Sequence, residues 1–345
     1  MKKARVALNG FGRIGRLFLR AAFNTGGFDI VAINDLGDVA NLAYLLKYDT
    51  VYGRYPHEVK GLENEKGKSL VVDGKEVVML QEKDPLQLPW KDLQIDVVVE
   101  ATGLFESYEK AKVHLTAGAK RVVITAPAKD ADGTLGRTVL MGVNEDALKG
   151  CAITSNASCT TNSVASVVQV LSENPGIKKA LLATVHAMTT TQNLADGPTK
   201  GSDFRRGRAA AHNIAPSTTG AAIAVTRAVP ELENKFDGLA YRVPVIVGSL
   251  SDITFVAKRK TSVEEVNSIL TAAAAEPRWQ GVLAVTNEQL VSSDIVGRTE
   301  AAIVDLSLTK VVDGDLVKVL SWYDNEAGYV ATLVRHVEAV AALVQ

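Results

Sequence analysis

Hydrophobic residues follow two different patterns along this chain, and the change comes near residue 155. From residue 4 to about 155, short apolar runs alternate with segments whose apolar residues recur at three- and four-residue spacing. Near-continuous apolar runs are typical of strands buried on both faces of a parallel sheet. The predicted strands are ARVALN, DIVAIN, IDVVVEAT, RVVITA and CAITS, and the predicted helices are IGRLFLRAAF and YEKAKVHLTAGA. This alternation predicts a doubly wound α/β domain with a parallel sheet.

The second half of the chain has longer apolar runs with few helices between them. After the amphipathic helix SVASVVQVLSEN come ALLATVHAM, LAYRVPVIV, LSDITFVAK, AAIVDLSL and LVKVLSWY. Such runs favour an antiparallel or mixed sheet. Ser262 followed by Glu265 predicts a capped start for the helix VEEVNSILTAAAA, and GYVATLVRHVEAVAALV predicts a closing helix. Residues 189–215 have no clear periodicity and predict a long loop, a feature that is usually functional.

Composition places the chain among ordinary globular proteins of two domains. It has 345 residues, of which 47% are hydrophobic and 22% charged, and this usage excludes disorder and coiled coil. With a net charge of −1, the protein as a whole has no electrostatic field that would attract nucleic acid or an anionic membrane surface. We find no apolar run long enough to span a bilayer and no signal peptide. Two cysteines, Cys151 and Cys159, are too few for a disulfide framework, which fits a reducing cytoplasm.

Three glycines follow the first predicted strand and open the first predicted helix. In this G-x-G-x-x-G motif Gly10 permits a tight turn, Gly12 lets backbone N–H groups approach a pyrophosphate, and Gly15 lets helix and strand pack closely. Asp35 ends the second predicted strand about 20 residues later, at the spacing of a carboxylate that binds an adenosine ribose. Since that carboxylate repels a 2′-phosphate, the sequence predicts a Rossmann-type site that prefers NAD to NADP.

Cys159 lies in SNASCTTNS, just before an apolar helical pattern. Ser158 or Asn156 could cap that helix. A thiol in the first turn is close to unpaired N–H groups and to the positive end of the helix dipole, which predicts a lowered thiol pKa. The same N–H groups could hold an oxyanion. The alternative is a small buried hydrophobic residue, and the spacing does not decide between the two; Cys151, at the start of CAITS, is interpreted as core.

Polar side chains after the run ALLATVH suggest further chemistry. His186 ends this run and opens the long loop, where it could stabilise a thiolate and act as a base, although a lone histidine is more often structural. Threonine hydroxyls, glycine N–H groups and arginines are the donors that phosphate oxygens need. Those in and after the loop are Thr189, Thr190, Thr191, Arg205, Arg206, Arg208, Thr218, Thr219, Gly220 and Arg242. A solvated polar loop is the alternative interpretation.

Several motifs occur together in a characteristic order. They are NGFGRIGR, IND, LLKYDTVYGR, ITAPAKD, SNASCTTN, TVHAMTTTQ, RAAAHNIAPSTTGAA, RVPV and SWYDNEAGY. Together they cover nearly the whole chain and resemble phosphorylating glyceraldehyde-3-phosphate dehydrogenases, most specifically through SNASCTTN and WYDNE-x-GY. The resemblance implies a Rossmann-type NAD-binding domain over residues 1–158, completed by a C-terminal helix over 325–345. It implies an α+β catalytic domain with a mostly antiparallel sheet over 159–324.

The resemblance also implies the reaction, a step of glycolysis. Cys159 would attack the aldehyde of glyceraldehyde 3-phosphate, and His186 would activate the thiol and take the proton of the hemithioacetal. Hydride would pass to NAD, and inorganic phosphate would release the thioester as 1,3-bisphosphoglycerate. The family is homotetrameric, and no metal, membrane or primary nucleic-acid partner is expected.

Site residues follow from the resemblance by position. The implied cofactor contacts are Gly10, Gly12, Arg13, Ile14, Gly15, Asp35, Lys83, Thr125 and Asn325. The implied pocket for the substrate phosphate consists of Thr189, Thr191 and Arg242. The implied pocket for the attacking phosphate consists of Ser158, Thr160, Arg205, Thr219 and Gly220. Lys83 stands where arginine is usual, and PTKGSDFRRGR differs in length from the common form, which leaves Arg205 and Arg206 as alternatives.

Two other functions remain open on the sequence. Erythrose-4-phosphate dehydrogenase uses the same chemistry, but it carries a different segment where this chain has Thr189 and Thr191. A non-catalytic protein on the same scaffold, binding nucleic acid through the NAD groove or sensing redox state, would not need both Cys159 and His186.

Overall fold

A computed structural model describes residues 3–65, 67–199 and 202–344, so Lys200 and Gly201 of the predicted long loop lie outside the described residues. The chain divides into two compact units. The first comprises residues up to Val139, Glu145–Ala157 and residues from Leu333 onward. The second comprises Leu140–Asn144 and Ser158–Thr332. No helix among the described residues is both long and apolar enough to cross a bilayer.

The first unit is built on a mainly parallel sheet. Its strands are β1 (Ala4–Asn9), β2 (Phe28–Asn34), β3 (Val59–Asn64), β4 (Gly67–Val72), β5 (Lys75–Leu80), β6 (Val97–Glu100), β7 (Arg121–Ile124), β8 (Gly136–Thr138) and β9 (Ile153–Ser155). Its helices are α1 (Arg13–Ala22), α2 (Val39–Lys47) and α3 (Tyr108–Thr116). The strand order is β3-β4-β5-β2-β1-β6-β7-β9-β8, and the pairs from β5 to β8 are parallel. The predicted doubly wound domain is confirmed.

The central strands are buried on both faces, as their continuous apolar sequences predict. Val97–Val99 are fully buried, and most of β1 is inaccessible as well. Parallel strands all end at one edge of a sheet, so the residues that follow β1, β2 and β6 meet there. This edge carries the glycine motif, Asp35 and the segment after Glu100.

Strands β3 to β5 were not predicted. They form an antiparallel meander in which β3 is mostly exposed, whereas β4 and β5 carry the short apolar runs LVV and VVML. A turn signal was present: Asp73 and Gly74 both have positive φ, of 47° and 78°, between β4 and β5. An Asp-Gly pair of this kind is the usual two-residue hairpin connection.

The second unit has a mostly antiparallel sheet, as predicted. Its strands are β10 (Ile177–Ala187), β11 (Ala215–Thr218), β12 (Phe236–Val243), β13 (Ser249–Ala257), β14 (Leu283–Thr286), β15 (Ala302–Val312) and β16 (Leu316–Tyr323), in the order β11-β12-β10-β13-β16-β15-β14. Its helices are α4 (Cys159–Glu173), α5 (Ala221–Ala228) and α6 (Val263–Ala274), and α7 (Ala327–Ala342) begins in this unit. Among the described strands of this unit, only β10·β12 and β14·β15 pair in parallel.

Helix α4 forms the centre of this unit. It packs against strands β10, β13, β15 and β16 of the sheet and against helices α5 and α6, and it is buried along almost its whole length. Strands β10 and β13 alternate buried and more accessible residues, which gives the sheet one face towards α4 and one outer face. The Ser262 side chain accepts a hydrogen bond from the Glu265 N–H at the start of α6, so the predicted cap is confirmed.

Candidate active site

Cys159 is the first residue of α4. The Ser158 hydroxyl caps the helix by accepting a hydrogen bond of 3.1 Å from the Thr161 N–H. The backbone N–H groups of Cys159 and Thr160 are directed to the Cys159 sulfur. Because the first N–H groups of a helix have no partner within the helix, they can stabilise negative charge on sulfur or on an adjacent oxygen.

His186 lies next to this thiol. It is the penultimate residue of β10, on the face of the sheet that packs against α4, and it is almost fully buried. Its Nε2 atom is 3.3 Å from Cys159 Sγ. The structure therefore brings together a nucleophilic thiol and an imidazole that stand 27 residues apart in the sequence.

Burial keeps both members of this pair in their neutral forms. Burial, with a smaller contribution from the positive charge of Arg242, lowers the pKa of His186 to about 3. Burial raises the pKa of the Cys159 thiol, although Arg242 and the Thr160 N–H oppose that shift. At neutral pH these shifts leave Cys159 as a thiol and His186 as a neutral imidazole. The lowered thiol pKa predicted from the helix position is wrong for this site, because burial outweighs the helix N–H groups.

Tyr323 closes the inner side of the pair and was not singled out in the sequence. Its buried hydroxyl lies 3.0 Å from Thr160 Oγ1 and 2.8 Å from Thr184 Oγ1, and its ring meets the His186 ring edge-on. Burial raises the pKa of Tyr323, so it stays neutral. The tyrosine thus joins α4, β10 and β16 directly behind the reacting atoms.

Phosphate donors gather beside His186. The hydroxyls of Thr189 and Thr191 are 2.8 Å apart, and Arg206 Nη1 approaches the Thr191 hydroxyl at 3.5 Å. Arg242 pairs with His186 across β10 and β12, and it lies close enough to Arg206 for their charges to interact. Hydroxyls and two guanidinium groups are a suitable environment for a dianion, although Arg206 also lies 3.8 Å from the Asp203 carboxylate.

The two alternative arginines differ in their surroundings. Arg205 is exposed and donates to Asp203 at 2.7 Å, whereas Arg206 contacts Thr191. Arg205, with Arg206 as the alternative, was implied for the pocket of the attacking phosphate. The contact with Thr191 places Arg206 beside a residue implied for the substrate phosphate instead, so the choice between the two arginines stays a prediction.

The other implied phosphate ligands are engaged within their own elements. Ser158 Oγ caps α4, and Thr160 Oγ1 is hydrogen-bonded to Tyr323. Thr219 Oγ1 accepts from the Ala221 N–H, and Gly220 begins α5, which packs against α4. These hydroxyls retain capacity for a ligand, but the direct contacts among the described residues do not join them into one cluster.

The glycine motif has the geometry that its spacing predicts. Gly10 has a φ of +99°, and a Cβ there would lie 2.7 Å from the backbone of Ala101. A Cβ at Gly15 would lie 2.3 Å from the Gly10 carbonyl oxygen. A Cβ at Gly12 would meet no protein atom within 4 Å. Gly10 and Gly15 are thus required by the fold, whereas Gly12 faces open space at the N-terminus of α1, where a pyrophosphate would bind.

A groove of about 370 Å³ runs along this edge of the first unit. Gly12, Asp35 and Lys83 are among its lining residues. Asp35 accepts hydrogen bonds from the N–H groups of Phe11 and Gly37, at 2.7 and 2.8 Å, so it also shapes the loops around the groove. Each carboxylate oxygen keeps a second lone pair for a ribose hydroxyl.

Arg13, Ile14 and Thr125 were also implied as cofactor contacts. Arg13 and Ile14 open α1, and the Arg13 guanidinium forms an ion pair of 2.7 Å with Asp49. Thr125 follows β7 and donates through Oγ1 to the Glu100 carbonyl at 3.0 Å. Its position at the carboxyl end of the sheet is the side on which ligands bind in such folds.

A buried carboxylate supports the groove and was missed in the sequence. Glu100, at the end of β6, accepts from Asn9 Nδ2 at 2.6 Å, from His114 Nε2 at 2.9 Å and from the Thr102 N–H at 2.8 Å. Trp90 Nε1 donates to His114 Nδ1 at 3.1 Å, which leaves the imidazole proton on Nε2. An acidic residue ending the apolar strand VVVE was the available signal.

Asn325 lies in the second unit. Its Oδ1 atom accepts from the Gly248 N–H at 3.1 Å and from Ser249 Oγ at 3.0 Å. These bonds fix the amide orientation, so Nδ2 is the end that can donate to a ligand.

Family models and curated relatives match this chain along most of its length. Residues 4–108 match the NAD binding domain of glyceraldehyde 3-phosphate dehydrogenase, and residues 158–325 match its C-terminal domain. The chain belongs to the glyceraldehyde-3-phosphate dehydrogenase family. This confirms the resemblance stated above, and it makes the chain an NAD-dependent oxidoreductase.

The relatives are themselves named glyceraldehyde-3-phosphate dehydrogenase. The Thermotoga maritima protein is 52% identical over 329 residues, which cover 94% of this chain and 96% of that protein. The Clostridium pasteurianum protein is 46% identical over 343 residues, covering 98% and 99%. The Geobacillus stearothermophilus protein is 48% identical over 327 residues, covering 94% of each. The family assignment therefore applies to the whole chain.

NAD fits the residues of the first unit. Gly12 leaves room at a helix N-terminus, and Asp35 offers a carboxylate rather than a cation at the ribose end. Among the described residues no group of three or more histidine, cysteine, aspartate or glutamate side chains is placed to hold a metal ion.

Proposed function

We propose that this chain catalyses the phosphorylating oxidation of glyceraldehyde 3-phosphate to 1,3-bisphosphoglycerate with NAD. The observation that carries the proposal is the Cys159–His186 pair, with Sγ and Nε2 3.3 Å apart at the start of α4. A thioester keeps the acyl-transfer potential that a free carboxylate would lose, so the nucleophile needs to be sulfur.

The first step forms a carbon–sulfur bond. Cys159 Sγ attacks the aldehyde carbon while His186 Nε2 takes the thiol proton, and the carbonyl oxygen becomes the hemithioacetal oxygen. The N–H groups of Cys159 and Thr160 are placed to stabilise negative charge at this stage. His186 returns this proton to the oxyanion, which becomes the hemithioacetal hydroxyl, and the neutral imidazole then serves as the base that takes the hydroxyl proton as the hydride is lost.

The oxidation and release steps follow on the same sulfur. Bound NAD would supply the acceptor for the hydride. The former aldehyde carbon is then held as a thioester on Cys159. An oxygen of inorganic phosphate attacks the acyl carbon, the carbon–sulfur bond breaks, and sulfur leaves as thiolate. His186, protonated after the oxidation, lies beside the leaving sulfur and stabilises it.

We assign the substrate phosphate to Thr189, Thr191 and Arg242, with Arg206 as a further donor. The paired hydroxyls and two nearby guanidinium groups support this assignment. Ser158, Thr160, Thr219 and Gly220 are proposed to receive the attacking phosphate, since α4 and α5 pack together with their N-termini at these residues.

For NAD, we propose that Gly10, Gly12 and Gly15 form the pyrophosphate turn and that Asp35 binds the adenosine ribose. The open space at Gly12 supports this role. Arg13, Ile14, Lys83 and Thr125 are proposed as further contacts of the cofactor. Asn325 is proposed to donate through Nδ2 to the nicotinamide carboxamide, because its Oδ1 is already bonded.

Phosphate dependence tests the proposed reaction. With purified protein, NAD and glyceraldehyde 3-phosphate, continuous NADH formation is expected to require inorganic phosphate. Sulfate in its place is expected to allow at most one NADH per Cys159, because the thioester then accumulates. Continuous turnover without phosphate would reject the acyl-phosphate mechanism, and parallel assays with erythrose 4-phosphate would identify the preferred aldehyde.

We also propose a homotetramer, supported by the outer face of the second sheet. Register places Val185 beside Tyr241 and Leu250 beside Trp322, so these side chains share the face away from α4. Leu181 on the same face is 66% exposed. A second copy of the chain would bury this apolar face.

Light scattering tests the oligomer. A mass of four chains of 36.7 kDa each is expected, and a combined Leu181→Glu and Val185→Glu variant is expected to give smaller species. A monomeric wild-type protein would contradict the assembly.

We further propose a reducing, cytoplasmic location, because Cys151 and Cys159 are both free thiols. Cell fractionation tests this location.

A further inference from the structure

A second cavity of the first unit lies at the edge of the sheet opposite the cofactor groove. Its volume is about 550 Å³. Ala4 and Arg5 at the start of β1 and Asp96 just before β6 line this cavity, whereas the groove adjoins the residues that follow these strands. All its lining residues belong to the first unit, and none of them lines the groove. The cavity is therefore a separate feature of the molecule.

Positive charge is concentrated in this cavity. Among the described residues that line it, cationic side chains outnumber carboxylates four to one, although the whole chain has a net charge of −1. Like charges that are brought together repel one another, so the arrangement is unfavourable unless an anion offsets it. The cationic residues are Lys3, Arg5, Lys91 and Lys120, and the carboxylate is that of Asp96.

Asp96 neutralises only part of this charge. Its Oδ2 atom accepts a hydrogen bond of 2.8 Å from the Arg5 N–H, and its Oδ1 atom forms an ion pair of 2.7 Å with Lys120 Nζ. The nearest carboxylate to Lys3 is that of Asp29, which is 3.8 Å away and does not line the cavity. The remaining cations therefore depend on another source of negative charge.

The guanidinium of Arg5 is held in place without being neutralised. Its Nε atom donates to the Leu93 carbonyl at 2.9 Å, and among the described residues neither Nη atom has a hydrogen-bond or ion-pair partner. Lys91 Nζ likewise has no partner within the described part of the chain. The cavity thus offers an oriented pair of guanidinium N–H groups and a free ammonium group to an anion.

The end of α3 does not account for Lys91. Cations are common near the C-terminus of a helix because the last carbonyl groups there lack partners. Here the Ala117 carbonyl accepts from the Lys91 backbone N–H at 3.2 Å, and the Leu115 carbonyl accepts from the Gly118 N–H at 3.0 Å. Gly118 has a φ of +110°, and a Cβ there would lie 2.7 Å from the Lys91 nitrogen. This close packing fixes the Lys91 backbone, while its side chain has no role in capping these carbonyls.

We propose that the cavity binds an oligophosphate anion, a chain of linked phosphate groups such as inorganic tripolyphosphate and nucleoside triphosphates share. Phosphate oxygens suit both the guanidinium fork of Arg5 and the ammonium group of Lys91. Several linked phosphates are needed to reach cations on separate segments of the chain. The volume of the cavity is also within the range of small-molecule sites, and a single phosphate would leave most of it unfilled.

Titration calorimetry with tripolyphosphate at physiological ionic strength tests this site. The protein is saturated with NAD beforehand, so that the cofactor groove is occupied. The combined variant Arg5→Met and Lys91→Met is expected to bind tripolyphosphate at least about 10-fold more weakly than the wild type, because it loses the charged hydrogen-bond donors. The matched control, Lys110→Met with Lys112→Met, removes two exposed cations of α3 outside the cavity and is expected to bind as the wild type does.

Three results of this titration would overturn the proposal. They are an absence of binding to the wild type, equal affinity in all three proteins, and an equal loss in both variants. ATP in a parallel titration distinguishes the two sources of the phosphate chain. Binding tighter than that of tripolyphosphate identifies a nucleotide, and equal or weaker binding identifies inorganic polyphosphate.

A second measurement uses the wild-type protein and does not depend on the folding of a variant. Lysine side chains are acetylated with sulfo-NHS acetate, and the rate at each position is read by mass spectrometry. Saturating tripolyphosphate is expected to slow the modification of Lys91 several-fold and to leave that of Lys110 unchanged. An unchanged rate at Lys91, or equal slowing at both positions, would contradict a site in this cavity. Neither measurement involves NADH formation, so both are independent of the proposed reaction.

Discussion

Replacement of Cys159 by serine is expected to lower kcat/KM for NADH formation by about 10⁴- to 10⁶-fold. The serine oxygen fits the same position at the start of α4, but its hydroxyl is far less acidic than a thiol and forms an ester instead of a thioester. His186→Gln keeps a polar side chain in place and is expected to cost about 10²- to 10⁴-fold, the range of a lost general base. Initial rates with saturating NAD and phosphate measure both effects.

The matched control is Cys151→Ser. Cys151 is a buried cysteine of the first unit, and its sulfur is 3.9 Å from the Ala147 carbonyl oxygen, outside the proposed machinery. We expect this variant to keep wild-type kcat. Cys159→Ser combined with His186→Gln is expected to be little worse than Cys159→Ser alone, because the two side chains act as one unit. Additive losses would indicate that His186 acts independently of the thiol.

Substitutions in the glycine motif are expected to give the second large effect. Variants at Gly15 and at Gly12 are expected to lose different properties. In Gly15→Ala the new Cβ would lie 2.3 Å from the Gly10 carbonyl oxygen, which belongs to rigid backbone. We expect a loss of about 3 kcal/mol in the free energy of unfolding of the first unit. In Gly12→Ala the Cβ meets no protein atom within 4 Å, so the fold is expected to lose less than about 1 kcal/mol.

For NAD affinity we expect the opposite order from that for stability, with the larger loss in the Gly12→Ala variant. The Cβ of Gly12→Ala occupies the space that a pyrophosphate needs at the N-terminus of α1, and we expect NAD affinity to fall about 100-fold, or about 2.7 kcal/mol. Chemical denaturation and isothermal titration of the two variants measure the two quantities. A stable Gly12→Ala variant that binds NAD as wild type does would contradict the position of the pyrophosphate.

Elements with strong local signals were predictable from the sequence. Strands β1, β2, β6, β7 and β9 are buried on both faces, so their apolar runs are continuous and agree with the structure to within a few residues. Short-range rules predicted a cap at Ser158 or Asn156, of which Ser158 provides it, and they predicted the close packing at Gly15. The family motifs identified the chemistry because they combine a fingerprint, a thiol and a histidine in a fixed order.

Features that depend on three-dimensional surroundings were not predictable. The pKa of Cys159 depends on how deeply the thiol is buried, which no motif encodes. The roles of Arg206 and Tyr323 depend on contacts with residues distant in sequence, with Thr191 in one case and with Thr160 and Thr184 in the other. The helices α2 and α5 were missed although both are rich in apolar residues, and the short apolar runs of β4 and β5 were not recognised as strands.

The buried Glu100 has a consequence for the thermodynamics of cofactor capture. One carboxylate ties the end of β1, through Asn9, to the turn after β6, through Thr102, before any ligand arrives. A binding site that already has its ligand-bound conformation loses little conformational entropy when the ligand binds. We therefore expect NAD to associate without a slow isomerisation of this unit. The observed association rate is expected to rise linearly with NAD concentration over the whole range that can be measured.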